Sequence, residues 1–185
     1  MRIATGVQGL DTILGGGLPQ ARLYLLEGPP GSGKTTLSLQ FLLEGLRQGE
    51  KSLYITLSET AEELREVANA HGWSLEGLHL FELGSAEGAM GNGRLQSVLH
   101  SWEMELDETV NMIMSWVDSI GPTRVVFDSL SELRLLAQDS LRPRRQILSP
   151  KQFFGPKSAT LILVHDLTPP GQDCVLQLHT LSHGL

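Results

Sequence analysis

The chain of 185 residues has a single cysteine, Cys174, which excludes an internal disulfide and any cysteine-based zinc site. Its apolar surroundings make that cysteine a small buried hydrophobe rather than a reactive thiol. Aromatic residues are scarce, at 5%, so Trp73, Trp102 and Trp116 read as packing residues before they read as a platform for a base. No apolar run approaches the ~18 residues of a membrane helix, and MRIATGVQGLDTIL has no apolar core of signal-peptide length. A cytoplasmic protein with no membrane partner is expected. Positive charge is also in short supply. With 14 Lys and Arg against 21 Asp and Glu the net charge is −7, which argues against a broad electrostatic footprint for nucleic acid. The six histidines fall at 71, 79, 100, 165, 179 and 183, with no metal-ligand spacing.

What is present suits a globular protein: 41% apolar and 19% charged residues, in a length that can bury a proper core. Strand candidates run 22–27 (RLYLLE), 52–57 (SLYITL), 78–83 (LHLFEL), 124–128 (RVVFD), 159–165 (ATLILVH) and 174–179 (CVLQLH). Between them lie helical patterns at 34–47, at 61–72 and around Val110, Ile113, Met114 and Val117, the last stopped by Gly121-Pro122. A further helix is expected over 141–154, where Pro150 would remove a hydrogen bond and kink or end it. The glycine-rich GSAEGAMGNGR between strand three and the next helix reads as a loop. Strands alternating with helices predict an α/β fold, a mostly parallel sheet with helices on both faces.

Gly28-Pro29-Pro30-Gly31-Ser32-Gly33-Lys34-Thr35 satisfies G-x-x-x-x-G-K-[ST] in full. The pattern arises by chance in about one chain of this length in 200. Its context is what the mechanism requires, a strand before and a helix after. Glycines let successive backbone N–H groups turn toward phosphate oxygens, and the helix N-terminus faces the same anion. Lys34 can reach the β- and γ-phosphates, and the Thr35 hydroxyl can join a Mg²⁺ shell. Gly28, Pro29, Pro30, Gly31, Ser32, Gly33, Lys34, Thr35 and Thr36 are therefore the expected nucleotide-binding residues, with ATP and Mg²⁺ as cofactors.

A second metal-shell group should end a separate apolar strand, and RVVFD supplies Asp128. The alternative is a carboxylate that caps a helix starting near Leu130. Hydrolysis also needs a group that orients or deprotonates the attacking water. YITLSET places Ser58, Glu59 and Thr60 at the carboxyl edge of the sheet, where such folds build their sites. Glu59 is the best-placed acid, so Glu59 and Lys34 are the expected catalytic residues. In the plainer reading, Ser58 or Thr60 caps the next helix and Glu62 and Glu63 favour its first turn. His165-Asp166 at a strand end is either a γ-phosphate sensor or a turn before Thr168-Pro169-Pro170. Arg142, Arg144 and Arg145 form a solvated helix face or, ranking below it, a subunit-interface or γ-phosphate contact, with a nucleic-acid contact last.

TGVQGLDTILGGGLPQARLYLLEGPPGSGKTT resembles the opening of the KaiC-like ATPases of the RecA superfamily. The resemblance continues through YITLSET, AHGW, RVVFDSLSELRLLA, RRQIL and LQLHTLSHGL, in that order. It implies a RecA-type P-loop three-layer sandwich, ATP with Mg²⁺, and a homo-oligomer such as a hexameric ring with nucleotide at subunit interfaces. By motif, Gly28 to Thr36 correspond to Walker A, Asp128 to Walker B, and Ser58-Glu59 to the carboxylate pair that ends strand two. Better-known members have glutamate at both positions of that pair, so serine at 58 leaves Glu59 as the sole base. RecA-type cores continue with more strands after the HG step, and KaiC-like rings use basic residues there against a neighbour's nucleotide. The expectation is one domain over 1–185 that lacks those final strands, and no Lys or Arg follows Lys157.

The leading reading is an oligomeric ATPase that turns over slowly in a regulatory or signalling role with an unidentified protein partner. A nucleotide-gated binding protein with little catalysis is the main alternative. A recombinase-like DNA-binding ATPase and a small P-loop kinase rank below it.

Overall fold

The computed structural model describes residues 1–82, 102–129 and 159–167. Two short strands, β1 (Arg2–Ile3) and β2 (Leu18–Pro19), pair antiparallel around helix α1 (Gln8–Ile13). The chain then enters β3 (Leu23–Gly28), α2 (Lys34–Arg47), β4 (Ser52–Thr56), α3 (Ala61–Ala70) and β5 (His79–Glu82). Helix α4 (Trp102–Ile120), β6 (Arg124–Asp128) and β7 (Thr160–Asp166) follow. The five longer strands form one parallel sheet in the order β3-β7-β6-β4-β5.

The strands alternate strictly, and both of their faces are covered, as expected for parallel strands between helices. Leu23, Leu53, Ile55, Val125, Phe127, Leu161 and Leu163 point to one face and pack with Ile113 and Val117 of α4. Tyr24, Tyr54, Val126, Ile162 and Val164 point to the other, against Leu39, Phe41 and Leu42 of α2 and Leu64 and Ala68 of α3. This is the expected three-layer α/β sandwich. Strand limits move by a residue or two from those read in the sequence, and α4 reaches further back than its apolar pattern indicated. The expected loop at 84–94, helix at 141–154 with Pro150, strand at 174–179, Cys174 and the arginine cluster lie outside the described residues.

Two polar anchors fix the frame that carries the P-loop. The Asp11 carboxylate accepts from the Thr5 N–H and hydroxyl, both at 2.8 Å, and ties the TGVQGLD turn down. A Cβ on Gly6 would lie 2.8 Å from the Gln40 carbonyl oxygen, so this glycine lets the turn lie directly on α2. At the amino end of β6, Arg124 is fully buried. It pairs with Glu50 at 2.8 Å, donates to the Ala4 and Phe41 carbonyls and stacks over the Phe41 ring. Gly45 makes room for it: a Cβ there would meet Arg124 Cδ at 2.6 Å.

Candidate functional site

The carboxyl ends of β3, β4, β6 and β7 bring the candidate residues together. After Gly28 the chain turns through Gly31 (φ 77°) and Gly33 (φ 89°), left-handed conformations that favour glycine, and enters α2 at Lys34. Gly28 itself admits no larger residue without a shift, since a Cβ would come 2.4 Å from Ser32 Oγ. The loop is thus curled over the first turn of α2, whose free N–H groups face the same space.

Lys34 is 9% exposed and its ammonium folds back into the loop. It donates to the Gly28 carbonyl at 3.0 Å and the Pro29 carbonyl at 2.9 Å, and pairs with Asp166 Oδ1 at 2.8 Å. Thr35 Oγ1 donates to Glu59 Oε1 at 3.3 Å. The Tyr54 hydroxyl donates to Asp128 Oδ2 at 2.5 Å.

Glu59 faces Thr35 because of a local turn. Thr56, the last residue of β4, accepts from the Glu59 N–H at 2.9 Å and donates to its carbonyl at 2.7 Å. The next residue, Thr60, forms a capping box with Glu63 at the start of α3. Thr60 takes the capping part foreseen for this segment, which leaves Glu59 turned inward. Ser58 is exposed. Glu59 Oε2 is buried and makes no hydrogen bond, an acceptor left over in an oxygen-lined site.

Electrostatics follow from burial. Asp128 is 6% exposed, and burial pushes its carboxyl up; the Tyr54 hydrogen bond and the Lys34 charge pull it back, while Asp166 adds to the rise. Burial also raises Glu59, with the Asp128 charge next, against a lowering bond from Thr35. Tyr54 is driven well above the ordinary phenol range by burial and by Asp128, so it stays a donor.

The structure brings Lys34, Thr35, Glu59 and Asp128 together at one edge of the sheet. It adds Tyr54, which sequence reasoning did not single out, although a buried tyrosine hydroxyl must find a partner. It also gives Asp166 a definite role as the ion-pair partner of Lys34. His165 beside it is buried, and Trp73 stacks on His71 at 4.6 Å, away from the loop.

The sequence profile of a family described as "ATPase: KaiC" matches residues 3–175. The chain belongs to the KaiC ATPase family. A UPF0273 protein of Methanopyrus kandleri is 30% identical over 172 residues, covering 90% of this chain and 67% of its own length. The circadian clock protein KaiC3 of Synechocystis is 29% identical over 151 residues, which are 79% of this chain and 29% of that protein. Among solved structures, the KaiC-like protein PH0186 of Pyrococcus horikoshii superposes with a TM-score of 0.69 at 25% identity. That likeness covers 90% of this chain and 71% of the other. KaiC-family membership makes nucleotide binding the property to explain, and the RecA-type α/β fold is the one expected. No described helix is long and apolar enough to cross a membrane.

Proposed function

We propose that this KaiC-family chain binds Mg²⁺-ATP at Gly28 to Thr36 and hydrolyses it slowly, with Glu59 as the group that orients and deprotonates water. The observation that carries the reading is the convergence of the Lys34 ammonium, the Thr35 hydroxyl and the Glu59 and Asp128 carboxylates at one sheet edge. In this reading Gly28, Pro29, Pro30, Gly31, Ser32 and Gly33 form the cradle. Lys34 and the N–H groups of Thr35 and Thr36 supply positive potential to the phosphate chain.

The residues fit a hard cation. Thr35 and Asp128 offer oxygen donors, and Mg²⁺ needs only one or two protein ligands besides phosphates and water. When bound, such a cation would neutralise charge developing on the phosphates. Glu59 suits the work of a base because burial and the neighbouring Asp128 lift its carboxyl toward the pH at which a proton acceptor is effective. Water attacks the γ-phosphorus, the bond to the bridging oxygen breaks, and the water proton passes to Glu59. Ser58 in place of a second acid, exposed and pointing to solvent, favours slow turnover.

Self-association and a regulatory or signalling role belong to the same reading. Their support is the family and the likeness to a protein named as a circadian clock component. A location in the cytoplasm is proposed on the same basis.

The test is nucleotide binding and phosphate release by the full chain and by Lys34→Ala. Loss of the charged donor should weaken ATP binding by about a hundredfold, the scale of a charge-assisted bond to phosphate. A Lys34→Ala chain that folds and binds ATP as well as the parent would sink the reading. An ATP-dependent rise in molecular mass is expected alongside.

A further inference from the structure

An ammonium has three N–H donors. In Lys34 all three have acceptors within the protein: the Gly28 carbonyl, the Pro29 carbonyl and Asp166 Oδ1. The placement of Asp166 is a consequence of sheet register. Strands β3 and β7 pair in parallel with Gly28 opposite Asp166, the last residue of each strand. The Leu167 N–H then donates to the Gly28 carbonyl at 3.1 Å, which holds the end of β7 against the start of the loop. The Asp166 side chain is 38% exposed, whereas the Lys34 side chain it holds is 9% exposed. Its charge is also felt by both Asp128 and Glu59.

We propose that Asp166 is a specificity-determining residue that competes with nucleotide for the Lys34 ammonium and lowers affinity for the triphosphate more than for the diphosphate. This rests on the reading of Gly28 to Thr36 as the phosphate site. For a phosphate oxygen to take an N–H of Lys34, one of the three present acceptors must yield. The two carbonyls belong to the loop that wraps the phosphates, so the side chain of Asp166 is the acceptor that can turn away. Whether it turns or shares the ammonium, a carboxylate remains close to an incoming polyanion. Like charges at this range repel more strongly as the ligand charge rises, and the site is only partly open to screening water. The third phosphate therefore bears the larger penalty.

Equilibrium titrations of the full chain with ATP and with ADP test this in the parent and in Asp166→Asn, which keeps the side-chain shape. The substitution should tighten ATP about tenfold and ADP about threefold. Unchanged or weaker ATP binding in Asp166→Asn would overturn the proposal, because Asp166 would then be supporting Lys34 rather than competing for it. A second measurement uses no nucleotide: timed acylation with acetic anhydride, read by peptide mass spectrometry, with Lys51 as the internal reference. Asp166→Asn should speed modification of Lys34 relative to Lys51. An unchanged ratio would overturn the competition whatever the nucleotide titrations give. A raised ratio in chains that bind neither nucleotide would instead remove the phosphate-site reading, and the triphosphate preference with it, while the pairing stands.

Discussion

Tyr54 and Asp128 are joined across two neighbouring central strands: the phenol of β4 donates to Asp128 Oδ2 of β6 at 2.5 Å. Tyr54 is fully buried, two positions before the end of its strand, and its ring lies among the residues that face α2. Its hydroxyl thereby engages Oδ2 and fixes the orientation of the carboxylate. Tyr54→Phe removes that donor and leaves a buried acceptor without its partner. Stability should fall by about 1–3 kcal/mol, the cost of an unmet buried polar group. Asp128 should also become harder to ionise, since the bond from Tyr54 is the larger of the two effects that lower it against burial. Urea denaturation measures the first effect. The second should show as a higher Mg²⁺ requirement for ATP binding, and an unaltered Mg²⁺ requirement would mean that Tyr54 only packs.

Much of this candidate site is legible in the sequence, because its rules are local. Gly28 to Thr35 follow a spacing that phosphate chemistry imposes on consecutive residues, and RVVFD and YITLSET end strands at one edge of the sheet. The relationships that could not be read are those set by strand order. Nothing in the sequence places β7 between β3 and β6, yet that order sets Asp166 beside Gly28 and hence beside Lys34. The same holds for Arg124, which reads as the polar start of a strand and is in fact fully buried against Glu50, Ala4 and Phe41. The N-terminal TGVQGLD was informative as a motif, but its physical basis, Asp11 capping Thr5 over α2, needed the fold.

Glu59 carries opposed demands, and Glu59→Gln should separate them. The carboxyl is raised by burial and then by the Asp128 charge, so the ligand-free fold disfavours its ionised form. A group raised in this way favours the fold below its unfolded value, and that contribution is lost as pH rises through the folded value. Glutamine is permanently neutral, keeps an oxygen for the Thr35 hydroxyl and relieves the repulsion with Asp128. Thermal denaturation near neutral pH should therefore show a higher Tm for the variant. Phosphate release should drop by about 10²–10⁴-fold, the usual contribution of a general base, with ATP binding retained. A variant that hydrolyses at the parent rate would exclude Glu59 as the base.

The Arg124–Glu50 pair lies at the opposite end of β6 from Asp128, so its loss should weaken the fold without altering the chemistry directly. Glu50 is held below the usual carboxylate range, chiefly by its hydrogen bond to Arg124 and, after the opposing effect of burial, by the charge of that residue. The sign is the reverse of that for Glu59: the stabilisation is present above the unfolded value, near 4.5, and is lost as pH falls through the lower folded value. Glu50→Gln should therefore destabilise the chain at neutral pH and flatten the decline in Tm on acidification below about pH 5. Arg124→Ala should cost about 3–5 kcal/mol, because it empties the space of a fully buried side chain and strips a half-buried carboxylate and two carbonyls of their donor at once. ATP affinity, measured at a temperature where each variant is folded, should stay within about threefold of the parent, since the pair touches no residue of the P-loop. An acid decline equally steep in Glu50→Gln would assign the pH sensitivity to other carboxylates.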